Sequence, residues 1–304
     1  MTSSGIRQAD ASHKGEIAQL WQTCFGEHRE AVDYFLERVF APEHCLVHVE
    51  DSRVVAMVHM LPAHMVVGHG THQAHYIFAA ATDPGFRSQG LMGRLLERAF
   101  SYGESRGDVC SFLLPSEPSL YDYYARHGYV PYFGTRFAEI TLAELARFDP
   151  QINGFTGLSA DVLPQLEDTR RLRDAELTGH VGSILWPSAY LDYAAKVNSI
   201  YGGQTSAIWD RDGRLSGYAL HSPIADDRIL VSELFARGES WGAMLSYVSE
   251  VTGAKSLTVR LPQQSPVLSG LGEVRSFGMA RPLGGFVLPR SLSGRSPYLG
   301  LTLD

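Results

Sequence analysis

Two stretches of this chain run through the same order of elements, and that repetition constrains the fold more than any other feature. In the first, "IAQLWQTCF" and "REAVDYFLERVF" carry a helical period. Two β-rich runs follow around the polar turn Glu50-Asp51-Ser52-Arg53, a hairpin pattern, and then "AHYIFAAATDP" as a third. A helix is expected from Leu91, with Leu95 and Ala99 on one side, ending at Gly107; "DVCSFLLPS" reads as a strand buried on both faces. In the second stretch, "SAYLDYAAKV", a hairpin around Asp212-Gly213, "RILVSELFA", "SWGAMLSYVSEVTG" and "SLTVRLP" repeat helix, hairpin, strand, helix, strand. The residues do not repeat, only the order, so an internal duplication of fold is the economical reading. The 304 residues suit two domains. The expected division is 1–147, 148–290 and a tail 291–304, with "FDPQINGFTGLS" (148–159) as linker.

Composition narrows the class. An apolar content of 44% with 19% charged residues describes a globular chain without bias toward disorder. The net charge of −7 argues against broad nucleic-acid binding, which needs a basic face. Cys24, Cys45 and Cys110 are scattered, a pattern of free thiols in a reducing compartment rather than a disulfide frame. "MTSSGIRQADASHKGE" lacks the charged-then-apolar order of a signal peptide, and no stretch nears the roughly 18 apolar residues of a membrane span. A cytoplasmic location with no membrane partner is the expectation.

Chemistry concentrates in "ATDPGFRSQGLMGRLLERAF", residues 81–100. A helix that starts just after a glycine leaves backbone N–H groups without partners, and these attract anions. A P-loop would end in Gly-Lys-Ser/Thr, which is missing; a dinucleotide fingerprint needs Gly-x-Gly-x-x-Gly, of which only Gly90 and Gly93 are present. The third design is an Arg/Gln-x-x-Gly-x-Gly/Ala pyrophosphate loop. "RSQGLM" matches it at Arg87 and Gly90 and departs from it at Met92.

That loop, with "SEPSLY" and "RHGY" after it, resembles the GNAT superfamily of N-acetyltransferases, and within it the tandem-GNAT, Eis-like branch. The motifs cover the first half; the second half matches by element order alone. The resemblance implies an α/β (α+β type) chain of two tandem GNAT-like folds, each a mixed, mostly antiparallel sheet flanked by helices. It implies acetyl-CoA as acyl donor, no metal, and an amine of a small molecule or peptide as acceptor. The diphosphate would rest on Arg87, Ser88, Gln89, Gly90, Leu91 and Met92, at the positive end of the helix dipole. The pantetheine arm would lie along Ala80, Ala81 and Thr82, whose backbone can polarise the thioester carbonyl.

Acyl transfer to an amine needs a proton donor for the thiolate and a base for the amine. The resemblance assigns the donor to the tyrosine of Tyr-x-x-x-Gly-Tyr, here Tyr124, whereas counting from "SE" selects Tyr121. For the base it points to the chain's own terminal carboxylate, Asp304, reaching the active site; Glu117 and a water relay are the alternatives. His69, His72 and His75 read as a solvated turn rather than a metal site, and His127 as a helix-end cation. In the second half "LFARGESWGAML" places Glu239 and Trp241 at the equivalent corner, so that half is expected to bind no phosphate. A non-catalytic acyl-CoA sensor and a Fem-type aminoacyltransferase are the rival readings. The intact "RSQGLM" loop and the acidic charge count against the second.

Overall fold

The computed structural model describes residues 4–148, 154–161, 163–290 and 295–303. The chain opens with β1 (Gly5–Gln8), α1 (Lys14–Phe25), α2 (Arg29–Arg38), β2 (Cys45–Glu50), β3 (Arg53–Val67) and β4 (Gly70–Thr82). It goes on through α3 (Leu91–Arg106), β5 (Cys110–Leu113), α4 (Ser119–Ala125), β6 (Val130–Pro131), β7 (Gly134–Thr141) and α5 (Leu142–Leu145). Then come β8 (Thr156–Ala160), α6 (Leu166–Leu177), β9 (Ile184–Leu185), α7 (Ser188–Ile200), β10 (Gln204–Trp209) and β11 (Leu215–Ala225). The last elements are β12 (Arg228–Ala236), α8 (Ser240–Thr252), β13 (Ser256–Pro262), β14 (Glu273–Ser276) and β15 (Met279–Pro282).

These elements form two units. Met1–Tyr132 with Gly278–Pro289 make the first, and Phe133–Phe277 with Arg290–Asp304 the second. The division therefore falls at Tyr132 rather than at residue 147, and the chain re-enters the first unit near its end. Strand pairing is the cause. β7, which the sequence placed in the first domain, pairs antiparallel with β13 from Ser256↔Thr141 to Pro262↔Thr135. β15 pairs instead with β5, from Met279↔Leu113 to Pro282↔Cys110. The stretch read as a linker also carries a strand, because β8 pairs with β10 from Thr205↔Ala160 to Trp209↔Thr156. Each sheet thus takes a strand from chain far from its neighbours, where an open edge would otherwise leave backbone groups unpaired.

The two sheets share one plan. The first runs β1-β2-β3-β4-β5-β15-β6 and the second β14-β7-β13-β12-β11-β10-β8. In each, a long hairpin leads into one parallel pair across a helix, β4/β5 around α3 and β12/β13 around α8. In the first unit, Trp21 of α1 packs on Phe78 of β4, ring centroids 5.4 Å apart. His75, three positions earlier on the same strand, lies on the opposite face, where a Cβ on Gly103 of α3 would meet it. The α1 and α3 faces thus cover both sides of β4. Met244, Leu245 and Val248 of α8 do the same work over Val231, Leu257 and Val259 in the second unit.

The second unit also buries an ion pair. Arg173 of α6 and Glu233 of β12 meet at 2.7 Å with both side chains fully buried. The Tyr218 hydroxyl donates to the same carboxylate at 3.3 Å, and Arg173 donates to the Ile184 carbonyl at 3.0 Å. The tail closes over this region. Tyr298 N donates to Ser183 Oγ, and Trp186 Nε1 to the Leu299 carbonyl. Tyr298, Leu299, Leu301 and Leu303 are buried. No helix among the described residues is long and apolar enough to cross a membrane.

Candidate active site

The first unit's cleft begins where β4 stops pairing. Its parallel ladder with β5 covers only His75↔Ser111 and Tyr76↔Phe112. On its other edge, register with β3 slips between Met57↔Ala81 and His59↔Phe78, so Ala79 and Ala80 together face one residue of β3. Ala79 carries the strain of this bulge, with φ at +45°. The bulge kinks β4 just beyond the end of its ladder with β5. The backbone of Ala80, Ala81 and Thr82 then borders a cavity of about 490 Å³.

The corner follows directly. Pro84–Phe86 form one short turn, capped by the Asp83 carboxylate, which accepts from Gly85 N at 2.9 Å. Ser88 and Gly90 both lie in the left-handed region, φ +62° and +71°, and α3 starts at Leu91. Glycine is the residue that takes such a conformation at little cost, so Gly90 can aim the first-turn N–H groups of α3 into the cavity. Arg87 donates from Nε to the Thr82 carbonyl at 3.2 Å, tying the corner to the end of β4. Arg87, Ser88, Gly90, Leu91 and Met92 all line the cavity, and no described carboxylate does. Gln89 is exposed and does not line it; its carbonyl accepts from Arg94. Positive charge and outward N–H groups with no acid opposite make a wall suited to an anion.

Across the cavity stands α4. Tyr124 lines the cavity and is 9% exposed, its ring edge-on to Tyr123 at 5.2 Å and to Tyr129 at 5.7 Å. Tyr121 does not line it. Tyr129 is fully buried and its hydroxyl is committed to Ser111 at 2.7 Å, so the last tyrosine of the motif is a packing residue. Tyr123, which sequence reasoning did not single out, also borders the cavity, and burial pushes its phenol up. Cys24 and Phe25 at the end of α1 were missed too. They form part of the wall, with Cys24 Sγ donating to the Thr82 carbonyl at 3.4 Å. Burial pushes the Cys24 thiol up despite Arg87 beside it. Only a helical count from Trp21 could have hinted at either. The end of α4 is held from far along the chain: Arg281 of β15 donates to the His127 carbonyl and lies over the Phe100 ring, 3.9 Å from its centroid.

Other expected residues fall elsewhere. Glu117 is exposed, its carboxylate accepting from Ser119 Oγ at 2.8 Å, and it does not line the cavity. Asp304 lies outside the described residues. His69 and His72 are exposed, as a solvated turn requires, but His75 is not part of that turn. It is fully buried on β4 with Nδ1 2.8 Å from Asp108, and burial pushes its imidazole down. The strand simply starts earlier, at Gly70, than the polar residues suggested. His127 is half-buried against Gly93 and Tyr123, and burial lowers its pKa, the reverse of a helix-end cation. Among the described residues no group of three or more His, Cys, Asp or Glu is placed to hold a metal ion.

The second unit repeats the strand geometry without the corner. The β12/β13 ladder ends at Val231↔Val259, and register with β11 slips between Leu220↔Glu233 and His221↔Val231. The bulge therefore sits at the position matching that of β4. However, Glu239 stands at the start of α8, and Trp241 is buried in the core beside Phe148. A carboxylate and an indole occupy the place where the first unit offers Arg87 and open N–H groups.

Comparison with known proteins agrees with this plan. The sequence model of the acetyltransferase (GNAT) domain family matches residues 5–131. No curated protein sequence matches the chain. Among solved structures, Eis1 from Mycobacterium abscessus superposes with a TM-score of 0.71 at 14% identity, covering 92% of this chain and 74% of its own. A GCN5-related N-acetyltransferase from Anabaena variabilis gives 0.71 at 14% identity, over 92% and 72%. A tandem GNAT protein from the clavulanic acid biosynthesis pathway gives 0.51 at 14% identity, over 92% and 99%. Residues 5–131 belong to the GNAT acetyltransferase family, and the chain as a whole has the tandem-GNAT fold shared with Eis1.

Proposed function

We propose that the protein is an acetyl-CoA-dependent N-acetyltransferase whose chemistry takes place in the first unit, with an amine of a small molecule or peptide as acceptor. One observation carries this reading. The freed edge of β4, the N-terminus of α3 and the Tyr124 ring border the same cavity of about 490 Å³. That wall fits the donor: open N–H groups and Arg87 for a diphosphate, an unpaired strand edge for an amide-bearing arm, and apolar Leu91 and Met92 beside it. When bound, the donor supplies an activated acetyl thioester. Backbone N–H groups of Ala80 to Thr82 orient its carbonyl and favour negative charge there. Tyr124 gives its phenolic proton to the departing sulfur, while a water or the chain's terminal carboxylate takes the proton of the amine. The test is thiol release from acetyl-CoA with a panel of primary amines. Tight acetyl-CoA binding without thiol release for any amine would make the protein a sensor.

Arg87→Ala should weaken acetyl-CoA by about 1.5–3 kcal/mol, the worth of one charge-assisted hydrogen bond. Calorimetry checks this, and unchanged affinity would remove Arg87 from the cradle. A saturating titration should show one acetyl-CoA per chain, because Glu239 and Trp241 replace the corner in the second unit. Two equivalent sites would overturn that assignment. Leu303 is buried, so the terminal carboxylate is best tested by deleting Asp304 alone. If it serves as base, turnover should fall on the order of 10²-fold while the melting temperature holds. Full activity after the deletion would leave proton removal to water.

A further inference from the structure

The second unit has a cavity of its own, of about 390 Å³, within the usual range of small-ligand sites. It opens beside the β12 bulge: Ser232, the bulged residue, lines it, as Ala80 lines the first unit's cavity. Its walls divide by chemistry. One side is apolar, with Val197 of α7, Leu230 of β12, and Leu301 and Leu303 of the tail. The other side presents hydrogen-bond donors, Arg260 of β13 with the hydroxyls of Ser222 and Thr302. No described Asp or Glu lines it.

Arg260 is set rather than loose. Its guanidinium lies over Phe277 at 5.0 Å and over Phe137 at 5.6 Å from the ring centroids. Stacking of this kind fixes the plane of the fork in advance, so less freedom is lost when it meets a planar anion. Asn198, although at the wall, is not free to recognise a ligand. Its Nδ2 donates to the Gln204 carbonyl at 3.0 Å and the His221 carbonyl at 3.1 Å. Ser232 likewise donates to the Leu220 carbonyl at 3.3 Å. Recognition is left to one cation, two hydroxyls and an apolar floor. A single positive fork facing an apolar pocket matches a monoanion whose charge sits at one end of a short hydrocarbon.

We propose that this cavity is a second ligand site, taking a small carboxylate with a short apolar body, separate from the acyl-donor cleft of the first unit. It does not rest on the acetyltransferase reading, since no residue is shared between the two cavities. The probes are hexanoate, hexan-1-ol and hexylamine, titrated calorimetrically into the full chain. Hexanoate should bind saturably at one site, the alcohol about tenfold or more weaker, and the amine not at all. Arg260→Gln should weaken hexanoate by about tenfold or more, and Ser232→Phe, which fills the space beside Leu230, should abolish binding even if the first variant folds poorly. Arg87→Gln should leave it unchanged.

Three results would overturn the proposal. One is equal binding of all three probes, or of none. Another is loss of hexanoate with Arg87→Gln in place of Arg260→Gln. The third is hexanoate binding only after deletion of Asp304, which would make the cavity a seat for the chain's own terminus.

Discussion

Turnover should fall by about 10²–10⁴-fold when Tyr124 is replaced by Phe, the usual worth of general acid catalysis, with acetyl-CoA affinity nearly intact. The substitution removes one hydroxyl and keeps the ring that packs edge-on against Tyr123 and Tyr129. A loss of activity could not then be blamed on a collapsed wall. The decisive control is Tyr123→Phe, because Tyr123 shares the cavity, whereas Tyr121 does not line it. Tyr123→Phe should change turnover little. If Tyr123→Phe silences the enzyme and Tyr124→Phe does not, the proton donor is Tyr123.

Glu233→Ala should cost about 3–5 kcal/mol of stability, measured by urea unfolding of the full chain. Both members of the Arg173–Glu233 pair are fully buried, so removing the carboxylate strands a guanidinium with no water to replace its partner. Tyr218 would lose an acceptor as well. The paired replacement Arg173→Met with Glu233→Leu should recover most of the loss, since it removes both charges at once. A loss under about 1 kcal/mol in the single variant would mean that water or a rearranged tail reaches Arg173. Because Gly300 would meet Arg173 if it carried a Cβ, tail and ion pair are packed as one, and the single variant should also loosen residues after Tyr298.

Local chemistry was legible in the sequence. The αL glycines that end α1 and α3, the hairpin at Asp51-Ser52, the two-faced burial of β5 and the Arg87–Gly90 corner all follow from nearest neighbours along the chain. Periodicity reports which face of an element is apolar, and a glycine reports where the backbone turns. The order of elements carried the duplication. What it could not carry was pairing between segments far apart. Nothing in "GTRFAEIT" says that it completes the second sheet, nor in "MARP" that it returns to the first, because an edge strand is chosen by whichever sheet edge lies open.

The same limit applies to the site. The sequence by itself determined the anion corner, because a phosphate cradle is built from consecutive backbone groups. Only the tertiary structure decided which tyrosine faces it. Tyr121, Tyr123 and Tyr124 sit on one short helix, and a turn of 100° per residue separates cavity from rim. The direction of that helix is set by Arg281, which reaches the His127 carbonyl from β15. The burial of His75 against Asp108, the stacked Arg260 and the Arg173–Glu233 pair depend likewise on partners 33 to 123 positions away, Arg260 lying over Phe137 being the longest reach (260 − 137). Contacts of that span are fixed by how sheets and helices close on one another, which no local pattern encodes.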